Sequence, residues 1–214
     1  MEALEPPFLV AWYGDRYRQF AMNPDWLAQS FIANAEKEAE GARKLAKIAS
    51  SARGHAFAPK IFAHAKDEAR HARMYIAMLK LIFPEALDDG SRQQLLASYP
   101  VFGDMSDFDE PQRALEAILD DIIQMNIGEI RTRLHQMLLR PVAGAACPDA
   151  NARPLLDLLQ RIYDDEGRHI IYTAEILEEQ SRHGYAAFID AVYARRVRDF
   201  SVITLNEVGV GQFD

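Results

Sequence analysis

Cysteine is almost missing from this chain: Cys147 is the only one in 214 residues. A lone thiol makes no intrachain disulfide and no Cys-rich zinc or iron–sulfur site, which fits a reducing compartment. Basic charge is also short, with 24 Lys and Arg against 32 Asp and Glu, a net charge of −8. Such a balance offers no electrostatic footprint for a phosphate backbone, so nucleic acid is not an expected partner. No run of uncharged residues reaches the length of a membrane span. The stretch "MEALEPPFLVAWYGDRY" is acidic at its start and too short in its apolar run to read as a signal peptide. The expectation is a cytoplasmic protein with no membrane partner. Alternation of period two is missing over any length that would make a sheet.

Helical periodicity is what the chain has in abundance. Residues about 24–50 follow Asn23 as an N-cap and Pro24 at the first helical position, and end in the turn "SSARGH". A second helix is expected over about 57–83, stopped by Pro84, and a third over about 111–139, between Pro111 and Pro141. A fourth is expected over about 153–181 and a fifth over about 184–200. Between the second and third lie about 27 residues rich in turn formers, read as a long connection with room for one short helix. Two helical hairpins joined by one long crossover is the connectivity of a ferritin-like four-helix bundle. About 27 residues suffice to run the roughly 40 Å of helices this long, at about 1.5 Å per residue. The expected fold is all-α: a ferritin-like four-helix bundle with one crossover, a C-terminal fifth helix and an N-terminal extension. It forms a single domain over residues 1–214, with its bundle core at about 24–181.

One string occurs twice, as "DEARH" at 67–71 and "DEGRH" at 165–169. By composition a single Asp-Glu-x-Arg-His should arise by accident about 0.003 times in such a chain, whereas a bare Glu-x-x-His would arise about 0.4 times. Each copy sets a carboxylate and an imidazole on one helical face, Glu68 with His71 and Glu166 with His169, inside an otherwise apolar stripe. Glu38 interrupts the stripe of Leu27, Phe31, Ala35, Ala42 and Leu45, which its neighbours Glu36 and Glu40 do not. On the third helix Leu115, Ile118, Ile122 and Met125 lead to Glu129, with Asp121 as the substitute. Counted from the hairpin turns, the four acids reach similar heights along the bundle. Four carboxylates buried together are costly without compensating charge, and two metal ions supply it. Four Glu and two His, the latter in Glu-x-x-His pairs, are the ligands of di-iron and di-manganese carboxylate bundles. Oxygen-rich ligation with imidazole suits iron or manganese.

At these residues the chain resembles the non-haem di-iron carboxylate proteins. That family includes multicomponent monooxygenase hydroxylases, acyl-carrier-protein desaturases, ribonucleotide reductase small subunits, arylamine N-oxygenases, rubrerythrins and bacterioferritins. The resemblance, over about residues 24–181, implies that Glu38, Glu68, His71, Glu129, Glu166 and His169 bind the metals and form the catalytic centre. It implies that Asp67 and Asp165 accept the histidine N–H groups from behind, and that Arg70 and Arg168 tie those acids into a polar network. His64, one turn before Glu68, reads either as a residue behind the ligands or as a seventh ligand. The extra histidine of the arylamine N-oxygenases is similar but lies on the fourth helix, where this chain has Ile162. Tyr75, Tyr163 and Tyr172 read as packing or hydrogen-bonding residues.

The implied cofactors are two iron ions, or a manganese–iron pair, with O2 as co-substrate. The function expected is a di-iron oxygenase or oxidase, an oxidoreductase acting on a small organic substrate by hydroxylation, N-oxygenation, desaturation or cleavage. An external electron donor and a second copy in a homodimer are the other expected partners. The alternative is a ferroxidase or peroxide scavenger without organic substrate. Against it stand the lack of any Cys-x-x-Cys pair and the small residues Ala35, Gly41, Ala42, Ala65, Ala72 and Gly128 around the ligands, which leave room for more than metal.

Overall fold

Asn23 accepts hydrogen bonds from the backbone N–H groups of Asp25 (2.9 Å) and Trp26 (3.3 Å), and Pro24 opens the helix that follows. That helix is one of a set of long ones in a computed structural model that describes residues 11–207. Among the described residues there are helices and turns but no strand. The order is α1 (Ala11–Ala21), α2 (Pro24–Ser51), α3 (Ala58–Ile82), α4 (Asp89–Ser98), α5 (Leu115–Ala146), α6 (Ala152–Gln180) and α7 (Ala186–Glu207). Helices α2 and α3 form one hairpin and α5 and α6 another, α3 lies against α6, and α7 lies against α5.

The connection from α3 to α5 is bound along the flank of the first hairpin. Arg73 of α3 donates to the carbonyls of Tyr99 (3.2 Å) and Pro100 (3.1 Å), and Arg43 of α2 donates to that of Ser98 (2.6 Å). Beyond the far end of α2, Arg53 donates to the carbonyls of Phe108 and Glu110. These bonds satisfy carbonyls that the irregular backbone leaves without helical partners.

The apolar core falls into two parts. One holds Leu45, Ile61, Ala65, Ile122, Ile127 and Ile176; the other holds Phe31, Ala35, Ala72, Leu139, Leu155 and Ile162. On α2, α3, α5 and α6 alike, the break between them falls at the same height, and polar residues occupy it.

Three expectations change. The third helix starts at Leu115, not Pro111, and runs through Pro141 to Ala146. Proline removes one N–H and leaves the carbonyl four residues back without a partner. Here that residue is Met137, which is exposed, while Leu139 and Ala143 continue the buried stripe past the proline. Packing outweighs the local preference. The connection before α5 has the one short helix it had room for, α4, and adds a 3-10 turn at Met105–Asp107. The N-terminal extension includes α1, whose Tyr13, Tyr17 and Ala21 lie one turn apart and are buried; residues 1–10 of that extension lie outside the described residues. The last helix continues to Glu207 after a wide turn at Ser181–Tyr185, where Gly184 takes φ of 100°.

Candidate metal centre

The polar layer is built from one carboxylate on each of four helices. Glu38 comes from α2, Glu68 from α3, Glu129 from α5 and Glu166 from α6, and between them stand His64 and His71 of α3 and His169 of α6. Two groups of atoms lie close enough for each to share one ion: His64, Glu68, Glu129 and His169 in the first, Glu38, Glu68 and His71 in the second. Glu68 belongs to both. Its Oε1 lies 3.3 Å from His64 Nε2, 3.4 Å from His71 Nδ1 and 3.7 Å from His169 Nδ1. Glu166 closes the layer, with Oε1 3.4 Å from His71 Nδ1 and Oε2 3.8 Å from His169 Nδ1. The rivals separate as the stripe predicts: Glu36 and Glu40 are exposed, and Asp121 pairs with Arg113 at 2.5 Å.

Each imidazole turns one nitrogen inward and anchors the other. His71 Nε2 meets Asp165 Oδ2 at 3.0 Å, His169 Nε2 meets Asp67 Oδ2 at 3.2 Å, and His64 Nδ1 meets the Tyr172 hydroxyl at 2.8 Å. Where the outward nitrogen donates to its partner, the neutral ring presents a lone pair inward. Those inward atoms, His64 Nε2, His71 Nδ1 and His169 Nδ1, are buried without a hydrogen-bond partner, as are Glu68 Oε1 and both oxygens of Glu166. Buried polar atoms in native proteins nearly always have a partner, so six orphans facing one another fit a site for cations. The doubled string supplies the anchors too. Arg70 bridges Asp67 and Asp165 at 2.7 Å each, and Arg168 reaches both acids from the other side.

The electrostatics agree. Burial and the neighbouring Glu68 push the Glu38 carboxyl well above its ordinary range, and burial with Glu129 does the same to Glu166. Burial also works to raise Glu68, but the neighbouring Glu38, His64 and His71 outweigh it and hold Glu68 low. For Glu129 the charge of His64 outweighs burial in the same way. Four carboxyls this close cannot all ionise without added positive charge. His71 shows the complementary response: burial opposes its protonation, yet Asp165 and Glu68 raise it to about 9.

The sequence placed His64 among two readings; the structure brings its Nε2 to 3.2 Å from Glu129 Oε1 and stacks its ring on His169 at 3.6 Å between centroids. Of the tyrosines, Tyr75 receives a hydrogen bond from Gln136, and Tyr163 lies under the Arg133 guanidinium, 4.4 Å from its carbon. Gly167, the variable position of the second string, is where Arg133 crosses: a Cβ there would stand 3.2 Å from its Nη1. Sequence reasoning missed Asn126, buried on α5, which donates to Thr173 Oγ1 (2.9 Å) and the Ile170 carbonyl (3.1 Å) of α6 and accepts from Tyr193 of α7 (3.3 Å). Its only signal was an amide inside the stripe between Ile122 and Ile127. A cavity of about 150 Å³ reaches Glu68 and Glu129 from the α2–α5–α7 side; Gly41 and Gly128 line it, whereas Ala42 does not.

No protein-family model matches the chain, and no curated protein or solved structure matches it significantly. The buried cluster of histidines and glutamates, able to hold metal within an all-helical chain, therefore stands on its own geometry.

Proposed function

We propose that the chain is a ferritin-like bundle holding a dinuclear iron, or manganese–iron, centre that activates O2 to oxidise a small organic substrate. The observation that carries the reading is the set of three inward imidazole nitrogens, each orphaned on the cluster side and anchored on the other. Glu68, shared by both ligand groups, would hold both ions, and His64 would join as a seventh ligand. Redox-active ions held here would supply the electrons that reduce O2.

The protein's own part is placement and exclusion. Asp165 and Asp67 anchor Nε2 of His71 and His169 so that Nδ1 of each would face a bound ion, and Tyr172 anchors Nδ1 of His64 so that its Nε2 would do the same. The two apolar halves of the core close the layer above and below, which lowers the dielectric around its charges. The cavity beside Glu68 and Glu129 leaves space for a substrate, which a ferroxidase would not need.

Loading the protein anaerobically with ferrous iron and measuring metal by elemental analysis should give two ions per chain. On exposure to O2, repeated iron additions should not build a mineral core. A content near zero rejects the centre; hundreds of stored iron atoms per assembly would replace the oxygenase reading with iron storage.

A further inference from the structure

We infer that the cavity between α2, α5 and α7 takes a small amphipathic anion, with its apolar body against the carboxylate layer and its anionic group at Lys44. This rests on the reading of that layer as the metal centre. The floor of the cavity is Glu68 and Glu129. Its sides are apolar, from Leu45 and Ile48 of α2, Met125 of α5 and Phe200 of α7. Space near the floor exists because two positions carry no side chain. A Cβ on Gly41 would stand 3.8 Å from Glu68 Oε2, and one on Gly128 would stand 3.7 Å from the Phe200 ring.

Charge at the rim selects the sign of the ligand. Asp121 lines the cavity but is neutralised by Arg113 at 2.5 Å. Lys44 is exposed, and among the described residues its ammonium meets the neutral amide oxygen of Gln124, at 3.4 Å. Among the described residues the cavity therefore carries one cation, Lys44, that no carboxylate pairs. With Glu68 and Glu129 neutralised by metal, an anion settling at Lys44 gains a charge-assisted hydrogen bond that a cation there lacks.

Size follows from volume and from helix rise. The volume is about 150 Å³, and an apolar cavity of about that size is known to hold one benzene. Lys44 is six residues along α2 from Glu38, and Gln124 is five along α5 from Glu129. At about 1.5 Å per residue the rim stands roughly 7–9 Å from the carboxylates. A single ring or a chain of about six carbons, with a carboxylate at one end, spans that distance. The far end of the molecule then lies beside the ligands, where an oxidation would fall.

Calorimetric titration with benzoate, hexanoate, benzyl alcohol and benzylamine tests the site. Protein loaded with Zn(II) allows binding to be read without turnover, and metal content is measured on the same samples. Benzoate or hexanoate should bind at least tenfold more tightly than benzyl alcohol, and benzylamine least; the tighter of the two anions assigns ring or chain. Lys44→Gln should weaken the anion at least tenfold and leave benzyl alcohol unchanged, while Lys47→Gln, exposed on the same helix, should change neither. Gly41→Leu should abolish binding of all four compounds while two ions per chain remain. Anion binding that survives Lys44→Gln, or that survives Gly41→Leu, overturns the proposal. So does a protein that holds two ions and binds no anion. A protein that takes up no metal but binds benzoate with this mutational pattern keeps the cavity assignment and rejects the metal centre.

Discussion

At the scale of single residues, each histidine in the layer depends on a group behind it. Asp165 and Asp67 each take one histidine and both arginines, and Asp165 holds its His71 and Arg168 partners more closely than Asp67 holds His169 and Arg168. Burial works to raise the Asp165 carboxyl, but its partners outweigh burial and hold it far below its ordinary range. An amide at this position keeps the shape but presents its NH2 or a weaker acceptor to His71. Asp165→Asn should lower metal affinity by roughly 10–100-fold, the usual loss when a ligand's outer partner is changed. Competition with a fluorescent chelator measures it directly. An affinity equal to wild type would mean that His71 is oriented by packing alone.

At the scale of elements, α7 is held to α5 by charge as well as by contact. Asp120 of α5 accepts from Arg195 and Arg196 of α7, at 2.6 Å each. Burial works to raise the Asp120 carboxyl, but the hydrogen bond and charge of Arg196, helped by Arg195, outweigh it and hold it low. A lowered carboxyl stabilises the docked helix fully above the ordinary carboxylate range, and that contribution is lost as pH falls through its lower folded value. Asp120→Asn should speed amide hydrogen exchange in α7 by about tenfold near neutral pH, consistent with about 1.4 kcal/mol for charge-assisted bonds. The difference between variant and wild type should vanish once Asp120 is protonated. Exchange unchanged at neutral pH would assign the docking to Val192, Val197 and Phe200.

At the scale of the whole molecule, the carboxylate layer works against the fold that contains it. Burial and repulsion among Glu38, Glu68, Glu129 and Glu166 cost stability, while the apolar halves on either side hold the helices together. Glu166→Gln removes one carboxylate at nearly constant volume. Its metal-free form should therefore be at least as stable as metal-free wild type, with unchanged helical circular dichroism. Wild type should gain about 2.7 kcal/mol from a metal present at about 100 times its dissociation constant, and the variant should gain much less. Chemical denaturation with and without Mn(II) separates the two effects. A variant that fails to fold would make Glu166 part of the structural framework.

Much of this molecule could be read from one dimension because helix periodicity and ligand spacing are local. The stripes of α2, α3 and α6, the cap at Asn23 and the two Glu-x-x-His pairs each fit within a few turns of one helix. Glu38 was legible for the same reason, as a charge inside an apolar stripe. The extent of α5 was not: Pro141 argues for a stop at the residue level, and only burial of Leu139 and Ala143 against another helix carries the chain past it. His64 could not be placed either, because its partners Tyr172, Glu129 and His169 lie on other helices, between 65 and 108 residues away. The cavity, with Lys44 opposite Gln124 and Phe200 across from Gly128, exists only where α2, α5 and α7 meet. Sequence determined which acids and histidines share a helix face, through local spacing; tertiary structure alone decided which of their atoms converge and what space is left beside them, because those depend on helices packed far apart in the chain.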